Sequence, residues 1–233
     1  MRILSTIFVF CLLTSTIKAQ SNSKLIDNYL AGEVQKNKWL PGDVSDWLLT
    51  DQYTDQATGI TYVYIQQRHS KIIVYNAISN FLIKDGKILY FKSGFIDHLE
   101  NKINTSQSKI NPETAFQFTL THLKKGKASL RSLNKKVSNN SFIYESPEIS
   151  EEPVKIQLVY RQTETGVKLA WDVSIELKNE AHWWNVRTDA LTGEFIDKND
   201  FTVERPLKKP GRPRWAGRGA GPGPGRPGWL ARL

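Results

Sequence analysis

The apolar residues of the chain recur first at helical and then at β-strand spacing. Between residues 24 and 34 they return every three or four positions behind Ser23, a residue type favoured at helix N-caps, so the pattern predicts a helix. Pro41-Gly42 is expected to end that helix, and residues 44–48 to add one short turn. The folded part of the chain therefore opens with helical structure.

From Gly59 onwards the chain becomes rich in β-branched and aromatic residues. His69-Ser70-Lys71 and Asp85-Gly86 interrupt this stretch, and the second of them is a dipeptide typical of tight hairpins. The pattern predicts a meander of three strands, over residues 60–67, 72–83 and 87–91.

A second helix is predicted at Asn111-Pro112-Glu113, which places an N-cap residue, a proline and an acid in the order of a helix start. Residues 101–109 are polar and are expected to form a connection. The Lys-rich residues 124–140 are interpreted as a mobile loop with solvated charges, with a binding patch as the alternative. Further strands are predicted over residues 154–161, 167–177, 183–189 and 194–197.

This order of elements predicts an α+β protein made of two helix-plus-antiparallel-sheet halves. The first half covers residues 24–100 and the second covers residues 110–203. We expect about 180 residues to bury an apolar core without other support.

The first 19 residues have the pattern of a secretory signal peptide, with one early positive charge, an apolar run and a small-residue exit at Ala19. The apolar run is about half the length needed to cross a bilayer. We expect a secreted, monomeric protein with no membrane span after cleavage; a retained anchor and lipidation at Cys11 are the alternatives. Because Cys11 is the only cysteine, the cleaved chain would have neither disulfides nor thiolate chemistry.

The net charge of +9 belongs to the two ends of the chain. Residues 1–19 contribute +2 and residues 204–233 contribute +7, so residues 20–203 are neutral. The final 30 residues are rich in Gly, Pro and Arg, a composition that builds no packed core. Their abrupt change in composition favours a frameshift or chimeric gene over a native basic tail. A basic excess outside the folded part argues against a nucleic-acid-binding domain.

The sequence contains no recognisable catalytic motif. Its four histidines are too far apart for an H-E-x-x-H zinc helix, and the cleaved chain would have no cysteine to bind metal. Asp97-His98-Leu99-Glu100 mixes acid and base groups but is typical of a polar loop. A Ser-His-Asp triad is defined by geometry, and nothing in the sequence supports one. We therefore expect a non-enzyme without metal or cofactor.

Trp183 and Trp184 are the candidate partner-binding residues. Adjacent residues of a strand face opposite sides, so one ring is expected to enter the core. The other is either covered by a neighbouring strand or free for a partner, since tryptophan is favoured at interface hot spots. Tyr62 and Tyr64 share a strand face, and cross-strand packing explains them without a ligand.

Three segments resemble, in order, the propeptide of fungalysin- and thermolysin-type metallopeptidases. GITYVYIQQRHSKIIVYNAISNFLIKDGKI, residues 59–88, is similar to the central motif of the FTP propeptide domain. LAWDVSI, residues 169–175, resembles the PepSY-like second half. HWWNVRTDALTGEFIDKNDFTV, residues 182–203, resembles the closing segment with its Asp-Ala-x-Thr-Gly turn. The turn at His69-Ser70-Lys71 departs from the Asn-Gly common in the family.

The resemblance implies a folding assistant and inhibitor of a fungalysin-type peptidase domain. No peptidase sequence follows residue 203 in this chain, so no catalytic residue of the family has a position here. The alternatives are a stand-alone secreted binding module of the same fold and, if the basic tail is native, a binder of anionic surfaces.

Overall fold

The structure is a computed structural model that describes residues 22–138 and 140–202, without the side chains of residues 134–137. The predicted signal peptide and the Gly/Pro/Arg-rich tail lie outside the described residues. The helices are α1 over residues 22–35, α2 Pro41–Val44, α3 Leu99–Lys102 and α4 Pro112–His122. None of the described helices is long and apolar enough to cross a membrane.

Ten strands are present in the described residues. They are β1 Trp47–Thr54, β2 Thr61–His69, β3 Ile72–Lys84, β4 Lys87–Lys92, β5 Arg131–Ser138, β6 Ser141–Glu145, β7 Val154–Thr163, β8 Gly166–Glu176, β9 Trp183–Asp189 and β10 Phe195–Asp200. The protein is therefore α+β, with few helices and a mostly antiparallel sheet.

All ten strands belong to one sheet; seven of them follow the order β1-β2-β3-β7-β8-β9-β10, while β4 pairs with β3, and β6 pairs with both β5 and β7. The 13-residue strand β3, like β7, pairs with three others. It lies against β2 along one edge, while β7 and β4 share its other edge at opposite ends. The β3–β7 pair is short and parallel, and it joins Ile73 to Val159 and Val74 to Tyr160.

Two hydrophobic clusters fill the space between the helices and the sheet. The first packs α1 residues such as Ile26 and Leu30 against β2 and β3. The second packs Phe116 and Leu120 of α4 against β7 and β8. Strand register places both clusters on the same face of the sheet, because Val63 of β2 is on the face of His69, and His69 pairs with Ile72 of the second cluster.

The local rules that predicted α4 and the hairpins are visible in the structure. The Asn111 side chain accepts a hydrogen bond from the Thr114 amide at 2.8 Å, which caps the first turn of α4. At both β2–β3 and β3–β4 the two turn residues have positive φ, the conformation of type I′ hairpins. In the first of these turns Ser70 and Lys71 adopt φ values of 52° and 65° without a glycine.

Three strands differ from the sequence predictions. Residues 47–48 were expected in a helical turn but begin β1, an edge strand whose mostly exposed residues give no alternating pattern. Part of the predicted mobile loop, residues 131–138, forms β5, which pairs with β6. The polar sequence of β5 did not indicate a strand, and in the described residues β5 pairs only with β6. β6 lies in a region that had no predicted strand.

Candidate functional site

The two faces of the sheet are covered differently. All of the apolar residues that contact α1 and α4 belong to one face, called here the helix face. The opposite face, called the open face, includes Tyr62 and Tyr64 of β2, Leu82 of β3 and, beyond the β3–β7 pair, Asp172 and Arg187. No described helix packs on the open face, which makes it the candidate binding surface.

A row of aromatic and apolar side chains crosses the first half of the open face. Tyr53, Tyr62, Leu82 and Tyr90 are directly opposed on β1, β2, β3 and β4, and together they are called the tyrosine row. The rings of Tyr53 and Tyr62 are stacked, with centroids 4.9 Å apart and planes 10° apart. The outer two tyrosines of the row are half exposed, at 50% and 51%.

Stacking covers only part of the ring surface of this row. The rings of Tyr53 and Tyr62 cover each other on one face, and Tyr64, also on β2, lies 6.4 Å from Tyr53 on the same side. A hydrogen bond with Tyr64 is the main cause that raises the pKa of the Tyr53 hydroxyl. The first half of the open face therefore presents partly exposed tyrosine side chains.

The second half of the open face is closed by ion pairs. Arg187 of β9 has no exposed surface, and its guanidinium contacts Asp172 at 3.2 Å, Asp197 and Asn199. Arg161 of β7 also pairs with Asp197, at 2.6 Å. These residues, with Tyr75, are called the arginine cluster.

Asp172 is held in the arginine cluster by several donors. Its carboxylate accepts hydrogen bonds from Gln157 and from Asn185, each at 3.2 Å, in addition to its contact with Arg187. Burial raises the pKa of this carboxyl, while Arg187 and the two amides oppose that rise. The cluster is a polar layer in which two arginines pair with two aspartates.

Tyr75 covers the arginine cluster because β3 contains a bulge. The residues Val74-Tyr75-Asn76-Ala77 interrupt the β2–β3 register, and Asn76 has a φ of 61°, a conformation that asparagine tolerates. Val74 and Ala77 enter the second cluster of the helix face. The Tyr75 ring lies 4.2 Å from the Arg187 guanidinium, and its hydroxyl donates to Asn199 at 3.1 Å.

The adjacent glutamines of residues 59–88, Gln66 and Gln67, also have structural roles. Gln67 is fully buried; its amide nitrogen donates to the carbonyls of Asp43 and Ile96, and its oxygen accepts from the Ile96 amide. The buried carboxylate of Asp43 in turn accepts from the amides of His98 and Leu99. Gln66 donates to the Val74 carbonyl at the bulge. This network ties α2 and α3 to the sheet.

The two later segments of the resemblance are structural in the same way. The buried Trp171 indole donates to the Ile110 carbonyl at 2.8 Å and so anchors the start of α4. In the turn over residues 189–193, Asp189 accepts from the Leu191 amide, and Gly193 has a φ of 77°. A Cβ atom at Gly193 would lie 2.3 Å from the Phe118 ring, so this position has no room for a side chain.

Trp183 and Trp184 face opposite sides of β9, as their adjacency predicted. Trp183 lies on the open face and is 47% exposed; its indole donates to Ser174 at 2.8 Å, and its ring contacts Phe201. Trp184 is half-buried against the second cluster of the helix face. Its ring contacts His182, and the Lys198 ammonium lies 4.1 Å from the ring centre. Their role in partner binding stays a prediction.

The other candidates from the sequence are dispersed over the fold. The four histidines lie in β2, in the α3 N-cap, at the end of α4 and before β9. No group of three or more metal-binding side chains lies together in the described part of the chain. Asp97 pairs with Lys102, while Leu99 of the predicted polar loop is buried and begins α3. A depression of about 350 Å³ follows β6 and is bordered by Glu145, Glu151, Glu152 and Lys178. The buried Ser146 and Ser150 also line it, but their hydroxyl groups donate to backbone carbonyls of Ser129, Glu152 and Glu176.

The arginine cluster and the tyrosine row were not predicted as units. Both have a sequence signal in retrospect: polar or aromatic residues at alternate positions of neighbouring strands, such as Asp172 and Arg187. Finding them required the register that brings those strands together.

Comparisons with known proteins give no family. No protein-family model matches the chain, and no curated protein matches it. Among solved structures, the search found the YpeB C-terminal domain of Bacillus megaterium, with 11% sequence identity and a TM-score of 0.31. That match covers 75% of this chain and 63% of the other. A likeness at this TM-score indicates neither a shared family nor a shared function.

Proposed function

We propose that the described body is a non-catalytic, propeptide-type module that binds the zinc peptidase domain of a secreted fungalysin-type metallopeptidase. In this role it assists folding of that domain and inhibits it. The two-half FTP/PepSY-like architecture and the secreted location belong to this proposal. The sequence resemblance over residues 59–88, 169–175 and 182–203 motivates it.

The observation that carries the proposal is the uncovered open face of the sheet. One face of the sheet is buried under α1 and α4, whereas the other presents the tyrosine row and Trp183 to solvent. Exposed rings concentrated on one face of a sheet are typical of protein-binding surfaces, where Tyr and Trp are enriched.

The residues in the segments that resemble the propeptide support binding through a rigid surface of fixed shape. Gln67, Tyr75 and Trp171 hold the sheet, its bulge and the start of α4 in position. A pattern built from such residues preserves a rigid surface. A preformed surface that binds only the folded peptidase domain stabilises that domain by mass action. Covalent linkage to the peptidase would raise the effective concentration to about the millimolar range.

Refolding of a purified, denatured fungalysin-type peptidase domain tests this function. We expect residues 20–203, added in trans, to raise the yield of active peptidase and then to inhibit it at micromolar concentration. An unrelated folded protein of similar size, added at the same concentration, serves as the control for non-specific effects. An unchanged yield together with full peptidase activity at high micromolar concentration would exclude the proposal.

Trp183 is the proposed anchor on the open face. Trp183→Ala should weaken binding by about 2 kcal/mol and leave the fold intact, because the ring is half exposed. Trp184→Ala should instead lower the free energy of unfolding by about 2–3 kcal/mol, since that ring packs on the second cluster. Equal binding by the wild type and Trp183→Ala would remove Trp183 from the interface.

A stand-alone secreted binding module is the second candidate function. The open face favours it equally, because an exposed aromatic surface serves any protein partner of matching shape. A body that folds and binds another secreted protein, but neither refolds nor inhibits a peptidase domain, would support this second function.

A further inference from the structure

A row of polar side chains with a charge at each end lies beside the tyrosine row on the open face. Its members are directly opposed on β1, β2, β3 and β4, and they are Asp51, Tyr64, Asn80 and Lys92, together called the charged row. Asp51 and Lys92 are exposed, and neither forms an ion pair with another side chain in the described part of the chain. The charged row therefore has an anion at its β1 end and a cation at its β4 end.

The other charges beside the two rows repeat this separation. The β1 end also has Asp55, which follows β1 and whose carboxylate is bound within its own turn. The hairpin at the β4 end also has Lys84, Asp85 and Lys87. Two aspartates give the β1 end a formal charge of −2, and three lysines with one aspartate give the β4 end +2. The two rows and these flanking charges, called the four-strand patch, are therefore neutral in sum and opposite in sign at their ends.

A second copy of the chain matches this patch through one particular rotation. A two-fold axis parallel to the strands, placed between two facing sheets, sets β1 of each copy over β4 of the other and keeps every row at its own level. Asp51 of each copy then faces Lys92 of the other, and Tyr53 faces Tyr90. Each contact occurs twice, as a two-fold interface requires. Sheets that pack face to face keep their strands nearly aligned, so this arrangement is one that sheets adopt.

Other occupants and rotations fit the patch less well. A two-fold axis parallel to the rows would set β1 over β1 and β4 over β4, which brings like charges together. A purely acidic or purely basic partner would match one end of the patch and be repelled by the other. A rotated second copy matches both ends.

We propose that the four-strand patch is a self-association surface through which two copies of the chain form a weak symmetric dimer. This inference goes beyond the proposed function, and Trp183 of β9 lies outside the patch. The half-exposed rings of Tyr53 and Tyr90 supply apolar contact, while the two Asp51–Lys92 pairs fix the orientation. An interface of four strands is small, so we expect a dissociation constant of about 10–100 µM. The monomer predicted from the sequence would then prevail in dilute solution.

Sedimentation velocity of the purified protein at about 1–200 µM tests the dimer. Asp51→Lys and Lys92→Asp each bring like charges together at both pairs, so each should raise the dimer Kd at least about tenfold at low salt. An equimolar mixture of the two variants should restore the dimer, because one copy then has lysine at both positions and the other has aspartate. These differences should shrink at about 0.5 M NaCl.

Lys127→Asp is the matched control for charge, because it removes an exposed lysine outside the patch. Alone, it should dimerise like the wild type. It changes the net charge as much as Lys92→Asp does, but it should bind Asp51→Lys more weakly, since only one of the two pairs is then matched. Equal binding by the two partners would reduce the effect to overall charge attraction and contradict the proposal.

The tyrosine row is tested by Tyr90→Ser, which should raise the dimer Kd about tenfold. Phe195→Ser is its control, because it removes an exposed ring outside the patch and should leave the dimer unchanged. Far-UV circular dichroism shows whether each variant is folded. If a charge variant unfolds, this tyrosine variant and its control supply the decision.

The outcomes are independent of the proposed function, because no peptidase domain is needed. A wild-type protein that stays monomeric at about 200 µM overturns the dimer alone. A dimer that the folded patch variants leave unchanged lies elsewhere and also overturns the inference, as does a dimer that the mixture of charge variants fails to restore. A protein that dimerises as described, but neither refolds nor inhibits a peptidase domain, overturns the proposed function alone.

Discussion

The side chains in the two halves of the open face differ in how far they are exposed to solvent. In the second half, the charged groups of the arginine cluster pair with one another, and Arg187 has no exposed surface. In the first half, the outer tyrosines of the tyrosine row stay half exposed. The comparison teaches that an uncovered sheet face need not be a binding surface: one half is covered by its own side chains, whereas the other keeps exposed rings.

The largest effect on stability is expected for Arg187→Met, in the half of the open face that holds the arginine cluster. Removing the guanidinium leaves Asp172 buried without its cation, so the free energy of unfolding should fall by about 3–5 kcal/mol in urea titration. Arg161→Met is the control, because its side chain is partly exposed and its ion pair with Asp197 should contribute at most about 1 kcal/mol. Equal losses in the two variants would contradict the distinction between a sealed and a solvated arginine.

The pH dependence of stability tests the burial of Asp172. Burial raises the pKa of this carboxyl in the folded protein above 3.8. Its contribution to stability is then present below the unfolded pKa and is lost as the pH rises through the folded value. Asp172→Asn removes the ionising group, so the free energy of unfolding of the variant should rise relative to that of the wild type as the pH rises above about 4.

Asp200→Asn is the control for this titration. The hydrogen bond from Thr202 is the main cause that lowers the pKa of Asp200 to about 2. A lowered pKa contributes stability above the unfolded value and loses it as the pH falls through the folded value. The free energy of unfolding of Asp200→Asn should therefore be lowest, relative to that of the wild type, at neutral pH. This trend is opposite to that of Asp172→Asn. Parallel trends would show that Asp172 is not desolvated.

Tyr75→Phe should lower the free energy of unfolding less than Arg187→Met does. The substitution removes the hydrogen bond to Asn199 but keeps the ring over Arg187, so unfolding should become easier by about 1 kcal/mol. Thermal unfolding measures this loss. Tyr75→Ala should cost clearly more, because it uncovers the guanidinium as well; similar midpoints for the two variants would exclude a covering role for the ring.

The smallest effect on stability is expected for substitutions in the tyrosine row. Tyr90→Ser removes a ring that is 51% exposed, so the free energy of unfolding should change by no more than about 0.5 kcal/mol. Urea titration beside Tyr75→Ala gives the direct comparison between the two halves. A loss above about 2 kcal/mol would mean that the tyrosine row supports the fold.

Sequence patterns predicted most of the helices and strands that bury apolar residues. α4 followed from Asn111-Pro112-Glu113, and β7, β8 and β9 followed from their alternating or continuous apolar residues. β1 was missed because this mostly exposed edge strand shows no alternating pattern. β6 was missed although it pairs with β5 and β7 and buries Tyr144. The parallel β3–β7 pair joins residues far apart in the chain, and no local pattern encodes it.

The candidate site was predictable only in part. The opposite orientations of Trp183 and Trp184 follow from their adjacency on a strand. The sequence did not show which of the two is exposed, because that depends on the neighbouring strand and on α4. The arginine cluster was out of reach for the same reason, since it requires the register of β7, β8, β9 and β10 and the bulge at Asn76.

The position of β3 in the sheet has a consequence for the order of events during synthesis. Every residue of the first hydrophobic cluster lies between residues 25 and 95, and its strands are joined by local hairpins. This part can fold once about residue 99 has left the ribosome, since local contacts form fastest. The second cluster needs chain up to Ala190. Until β7 emerges, Ile72 and Val74 of β3 stay exposed as a hydrophobic template, and the nascent chain is most prone to aggregation in that interval.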